Sequence, residues 1–218
     1  MVFDLDGTLV KLSFPALEAK KGLMKELGRA GVRLSPRFLS EPIQLMFDEL
    51  DSKFDGWTKG MAYLDLKIRL EEILEKYELE SAKNASLCSD CVKTLKELKR
   101  RGIRLALVTN HGLLATEFLM RKFDLFKYFD VIITRDQVKR WKPSPEGILK
   151  ALRILTIDSS QALLIGDTWM DMLAAKKAGV VSVALLEGGE EMRRVVREPP
   201  DFIVGSLYEI LRMISLRM

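Results

Sequence analysis

Two carboxylates, two residues apart, close the first apolar run of the chain: in MVFDLDGTLV, Asp4 and Asp6 are followed at once by Gly7 and Thr8. Residues two apart lie on the same side of an extended backbone, so both acids can face one ligand. Three later apolar runs also end on polar residues for which a core has no use. They are IRLALV before Thr109 and Asn110, DVIIT ending at Thr134, and ALLIG before Asp167, with Asp171 four residues further on. The loop after DVIIT reads KRWKPSP and brings Lys142. Crowded carboxylates, a hydroxyl, an amide and an ammonium are the materials of a site for a metal ion and an oxyanion, provided that the chain brings them to one place.

The elements between these residues supply the means. Segments of helical period fill residues 90–102, 113–125, 145–155 and 170–179, and the first and last of them stop at Gly102 and Gly179, the residue preferred just past a helix end. Two more strand-like runs, VVSVALL and DFIVGS, precede a final helix in SLYEILRMI. Strand alternating with helix over residues 87–210 predicts parallel βαβ units with helices on both faces of the sheet. Residues 11–86 break that rhythm. They hold no convincing strand, only amphipathic stretches punctuated by Pro, Gly and Ser. The expected architecture is therefore α/β: a doubly wound, mainly parallel, Rossmann-like core built from residues 1–10 and 87–218, with an α-helical cap inserted at 11–86.

In an open parallel sheet, ligands bind in the crevice beyond the carboxyl ends of the strands. Convergence there gathers Asp4, Asp6, Thr109, Asn110, Asp167 and Asp171, with Lys142. Carboxylates so crowded cannot all stay ionised without a cation, and a hard divalent ion with oxygen ligands, Mg²⁺ first, is the economical partner. Thr109, Asn110 and Lys142 opposite them make a pocket suited to phosphate. The DLDGT loop adds backbone N–H groups, and Gly7 lets that backbone turn closely round a ligand. Asp4 is open to two readings, as metal ligand only or also as a nucleophile that forms an aspartyl-phosphate. Asp6 would then protonate the departing alcohol and afterwards take a proton from water.

Taken singly, each residue has a plainer use. Asp167 could cap the following helix, Asp171 could be an exposed first-turn acid favoured by the helix dipole, and Lys142 could be a surface lysine before two prolines. Thr109 and Asn110 would pass as strand-end turn residues. Cys88 and Cys91 form C-x-x-C, but zinc needs four ligands and no second pair exists, so two half-buried thiols at the return hinge are expected. His111, the single histidine, is either structural or a substrate contact at the rim of the site. Trp57 and Trp141 are expected to pack, or else to line the mouth.

The ordered set DLDGTL, LVTN, KPSPE and GDTWMD resembles the haloacid dehalogenase superfamily, in its branch with a helical cap inserted after the first motif, and the resemblance covers essentially the whole chain. It implies Asp4 as nucleophile, Asp6 as general acid and base, and Thr109 and Lys142 as ligands of the transferring phosphoryl group. It also implies Mg²⁺ held by Asp4, the backbone carbonyl of Asp6 and Asp167, with Asp171 in support directly or through water. Dehalogenases of the superfamily lack an aspartate at the second position, so Asp6 favours phosphoryl transfer. The expected activity is hydrolysis of a small phosphate monoester; a phosphomutase, a 2-haloacid dehalogenase and a non-enzymatic phospho-accepting receiver-like domain stand behind it. Relatives commonly have more than Met1, Val2 and Phe3 before the first aspartate, so the first strand is short or the natural start lies upstream. Arg140 and Trp141 stand where small residues are common.

Composition narrows the partners. Thirty-five Lys and Arg against 31 Asp and Glu give +4, too little to signal nucleic acid or a membrane surface. The inserted 11–86 segment balances 13 of each, so the whole excess lies on the strand-helix part. With no apolar run of membrane-spanning length, no secretion signal and only two cysteines, a cytoplasmic protein is expected, acting on a small phosphorylated metabolite as a monomer or homodimer.

Overall fold

In the computed structural model, residues 1–54, 60–186 and 189–215 are described. The chain divides into two compact units, Met1–Leu12 with Ala85–Met218, and Ser13–Asn84. Its strands are β1 Val2–Phe3, β2 Val10–Lys11, β3 Ser86–Leu87, β4 Ala106–Val108, β5 Val131–Ile133, β6 Leu163–Gly166, β7 Val181–Leu185 and β8 Phe202–Val204. Its longer helices are α1 Ala16–Arg29, α2 Ile43–Lys53, α3 Met61–Lys83, α4 Cys91–Arg100, α5 Leu113–Lys122, α6 Glu146–Leu155, α7 Trp169–Ala178 and α8 Leu207–Ser215.

Six strands form one parallel sheet in the order β5-β4-β1-β6-β7-β8. Its central strands are apolar on both faces, as a sheet covered by helices on each side requires. Val2, Phe3, Ala106, Leu107, Leu164 and Ile165 are all inaccessible to solvent. Val2, Val108, Ile133 and Leu164 share a cluster with Ile148, Ala151 and Leu152 of α6 and Ala174, Ala175 and Ala178 of α7. Gly147 lets α6 lie close, since a Cβ there would stand 2.8 Å from Val108. α4 and α7 are followed by Gly102 and Gly179 at φ +74° and +69°, a left-handed turn that costs glycine little.

That strand order positions the site. From β1 the chain winds one way through β4 and β5, then crosses to the other side of β1 and winds away through β6, β7 and β8. The reversal falls between β1 and β6, and an open parallel sheet has its crevice at such a point. Asp4 sits there, its backbone N–H donating to the Ile165 carbonyl at 2.9 Å.

In the helical unit, α1 buries Ala19, Leu23 and Leu27 and α3 buries Leu66, Leu70 and Leu74, each at three- or four-residue spacing. Gly22 brings α1 against Ile73 and Tyr77, and Arg69 of α3 reaches Glu26 of α1 at 2.8 Å. Among the described residues no helix is long and apolar enough to cross a membrane. Trp57 lies outside the described residues.

Two expectations need correction. Residues 11–86 were expected to lack strands, yet Lys11 and Ser86 belong to a ladder, β2 against β3, antiparallel, with Val10 opposite Leu87 and Lys11 opposite Ser86. Two residues on each side are too few for an alternating pattern to show in sequence. A further bond from the Cys88 N–H to the Leu9 carbonyl, 2.9 Å, continues the clasp. The second correction concerns the thiols, which are buried rather than half-buried, 3% and 2% exposed for Cys88 and Cys91. Cys91 opens the apolar face of α4 that continues through Leu95 and Leu98. Burial, with the neighbouring Cys88 second, pushes the Cys91 thiol up to about 12, so the reactive thiolate is scarce at neutral pH. Neither cysteine of the native protein should therefore react with Ellman's reagent within minutes at pH 7.5, while both should in denaturant. Rapid stoichiometric labelling of the folded protein would contradict this placement.

Candidate active site

Asp4 from the end of β1, Asp167 from the end of β6 and Asp171 from the first turn of α7 are all buried, and each offers an oxygen within 4.8 Å of the others. Two glycines make room for them. Gly7 has φ +76°, and a Cβ on it would collide with the Asp167 carboxylate. A Cβ on Gly166 would collide with Asp171. Gly7 thus serves both the turn and the packing of an acid. The cap of α7 is Thr168 rather than Asp167, and Asp171 is its reciprocal partner, accepting from the Thr168 N–H at 3.1 Å and hydroxyl at 2.6 Å. That bonding folds the carboxylate back over the helix end, so Asp171 is 1% exposed and not a solvent-facing first-turn acid.

Lys142 enters this cluster from the loop between β5 and α6. It is 5% exposed, and its Nζ lies 2.5 Å from Asp4 Oδ1 and 2.6 Å from Asp171 Oδ1. Other side chains hold the loop in place. Asn110 donates from Nδ2 to the Lys142 carbonyl and accepts the Lys142 N–H on Oδ1, both at 2.9 Å. Glu146 accepts the backbone N–H groups of Lys139 and Arg140 at 2.8 and 3.1 Å. Trp141 is buried, with the Arg135 guanidinium 5.4 Å from its ring centre, so it packs and does not line a mouth. Arg135, itself buried, also donates to the carbonyls of Asn110 at 3.4 Å and His111 at 3.2 Å.

Of the residues singled out in sequence, Asp4, Asp167, Asp171 and Lys142 come together. Thr109 follows β4, the strand beside β1, and is 3% exposed; its hydroxyl oxygen accepts the His111 N–H at 3.1 Å. Asn110, expected among the phosphate ligands, gives both atoms of its amide to the main chain of Lys142 and acts as a brace for that loop. Asp6 stays outside the carboxylate cluster, its side chain 36% exposed and 3.8 Å from His111 Nε2. Three contributors escaped the sequence reading. Glu146 stood in the KPSPE motif without a role, and Arg135 offered no spacing to notice. Arg194, in the short 3-10 helix Gly189–Arg194, places Nη1 2.7 Å from Asp167 Oδ2.

The charges do not balance. Among the described residues, three buried carboxylates meet two cations, Lys142 and Arg194, which leaves one negative charge before Asp6 is counted. Burial raises Asp4 to about 6, with Lys142 opposing the rise and Asp171 adding to it. Burial, then Asp171 and Asp4, hold the Asp167 carboxyl well above its usual range, against the pull of Arg194. Burial alone would lower Lys142, but Asp171 and Asp4 outweigh it and the ammonium is held above its ordinary value. Both oxygens of Asp171 are engaged by Lys142 and Thr168, whereas Asp167 Oδ1 is buried without a hydrogen-bond partner among the described residues. A set of oxygen donors, short of positive charge and with one carboxylate oxygen unused, fits a hard divalent cation.

The sequence pattern of the haloacid dehalogenase-like hydrolases matches residues 1–185. The chain is 28% identical over 217 residues to the putative pyrophosphatase PpaX of Caldanaerobacter subterraneus, covering 99% of this chain and 94% of that one. It is 31% identical over 219 residues to the phosphoglycolate phosphatase of Nitrosospira multiformis, covering 99% and 95%. The structure of CbbY from Rhodobacter sphaeroides in complex with phosphate superposes with a TM-score of 0.64 at 25% identity, over 96% of this chain and 94% of that one.

Removing one partner of a buried ion pair typically costs about 3–5 kcal/mol, because the other charge stays buried. Lys142→Met should therefore lower the urea midpoint substantially in the absence of divalent ions. Adding Asp4→Asn to it should recover part of the loss. An unshifted midpoint in the single variant would show that Lys142 does not neutralise this cluster.

Proposed function

This chain belongs to the haloacid dehalogenase-like hydrolases, and from that membership and the geometry of its crevice we propose a Mg²⁺-dependent phosphatase that hydrolyses a small phosphate monoester through a phosphoryl group carried on Asp4. The observation that supports it most is the setting of Asp4. The carboxylate is buried at the switch point of the sheet, with one oxygen fixed by Lys142. A nucleophile so held is oriented before substrate arrives.

In the first half of the reaction, the Asp4 oxygen not bound to Lys142 attacks phosphorus, the Asp4–phosphorus bond forms, and the bond to the leaving oxygen breaks. Asp6 gives its proton to that oxygen. In the second half Asp6 takes a proton from water, the water oxygen attacks phosphorus, and inorganic phosphate leaves with Asp4 restored. Asp6 suits both tasks because it sits at the partly exposed rim, where alcohol departs and water enters. An ammonium has three donors. Asp4 and Asp171 use two of those on Lys142, leaving the third for a phosphoryl oxygen, with the Thr109 hydroxyl as a further donor. Asp4, Asp167 and the backbone carbonyl of Asp6 would hold Mg²⁺, which when bound supplies the charge that keeps these carboxylates ionised and offsets that of the phosphate. Asp171, with both oxygens engaged, is assigned to holding Lys142.

The relatives' names divide between a phosphoglycolate phosphatase and a pyrophosphatase. A positioned proton donor favours the ester, since an alkoxide needs the proton and a phosphate leaving from an anhydride does so far less. Release of inorganic phosphate from 2-phosphoglycolate, an aryl phosphate and pyrophosphate should be measured with Mg²⁺ and with EDTA. Turnover of the esters should need Mg²⁺, and Asp4→Asn should abolish it while leaving the protein folded. An active Asp4→Asn enzyme would overturn the nucleophile, and pyrophosphate as the preferred substrate would overturn the ester assignment.

A further inference from the structure

The basic excess of the strand-helix part has a location. α4 carries Lys93, Lys96 and Arg100 at positions i, i+3 and i+7, one face of the helix, opposite the face on which Leu95 and Leu98 are buried. α8, packed beside it, turns Tyr208, Leu211 and Arg212 towards that face at i, i+3 and i+4, and a groove of about 740 Å³ lies between the two helices. Five of its lining residues are Lys or Arg and one, Glu97, is acidic, a balance of +4.

A charged helix face is ordinarily just solvated, but this one differs in what stands opposite. Glu97 is already taken up by Arg100 and Arg101, at 2.7 and 2.8 Å. Lys93 and Arg212 come from different helices to the same Tyr208 ring, at 4.3 and 5.9 Å from its centre. The ring's electron-rich face offsets part of their mutual repulsion, and an anion would offset the rest. Among the described residues the carboxylate nearest Lys93 in an ion pair is Asp90, at a distant 4.0 Å. Beneath the charges, Leu211 and the aliphatic stems of the lysines and arginines give the groove an apolar floor.

We propose that this groove binds a nucleoside di- or triphosphate, its base and sugar lying over Leu211 and the aliphatic stems and its phosphates among Lys93, Lys96 and Arg212. The volume falls within the roughly 300–1,000 Å³ range of small-ligand sites. The groove is also too short for a long partner segment: at 1.5 Å per residue, the ten residues of α4 span only about 15 Å. The site is independent of the phosphatase assignment, since neither helix carries a residue of the crevice.

Binding of fluorescent N-methylanthraniloyl-ADP to the full chain, in EDTA so that the crevice lacks its divalent ion, tests it. One saturable site is expected, weakening as salt rises. The triple variant Lys93→Ala, Lys96→Ala, Arg212→Ala should lose at least tenfold in affinity while keeping its aryl phosphatase rate, which also reports that it is folded. No saturable binding, or equal binding by the triple variant, would overturn the site. Tripolyphosphate competing as well as ADP would overturn the nucleotide assignment in favour of a bare polyanion, and competition only by an acidic peptide would replace it with a protein partner.

Discussion

One buried ammonium bridges two of three crowded acids, with Arg194 meeting the third, and much of the structure follows from keeping that arrangement intact. Lys142 lies on a loop, and an unbraced loop would let the charge escape to water. Asn110 therefore holds the main chain of Lys142 and Glu146 that of Lys139 and Arg140, while Trp141 packs with the Arg135 guanidinium. Gly7 and Gly166 keep the space in front clear for carboxylates. Such a cluster opposes folding when taken alone, because burial penalises each charge and like charges add to the penalty. The parallel sheet, apolar on both faces, supplies the compensating stability and sets where the charges meet.

The architecture was legible because its signals are long and repeated. Apolar runs of strand length alternate with amphipathic segments, and the six-stranded parallel sheet agrees with that reading. The acids and the lysine were legible for a related reason: Asp4 and Asp167 close apolar runs that have no need of a polar residue, and Asp171 and Lys142 stand in the segments just beyond such runs. Both kinds of inference use local contrast, the one thing that a single sequence displays directly.

What stayed hidden depends on contacts between distant parts of the chain. Asn110 and Lys142 are 32 residues apart, and nothing at either position announces that the amide braces a backbone. Arg194 reaches Asp167 from a segment with several charges, any of which could have been solvated. Asp167 reads as a cap of the following helix, but its neighbour Thr168 takes that place, and only the geometry of Asp171 shows it. The β2–β3 ladder is too short to have a period at all.

That ladder has a consequence for how the chain can change. It joins the outgoing and returning strands at the point where the helical unit departs, so to the sheet the 72 residues from Ser13 to Asn84 amount to the loop of a hairpin. The entropy of closing a loop grows only logarithmically with its length, by about 0.6 kcal/mol per doubling. Once the clasp is made, the stability of the core is nearly indifferent to the size and content of what it encloses. The insertion can accumulate substitutions, shrink or grow under selection of its own, while the carboxylates a few residues before the clasp keep their places.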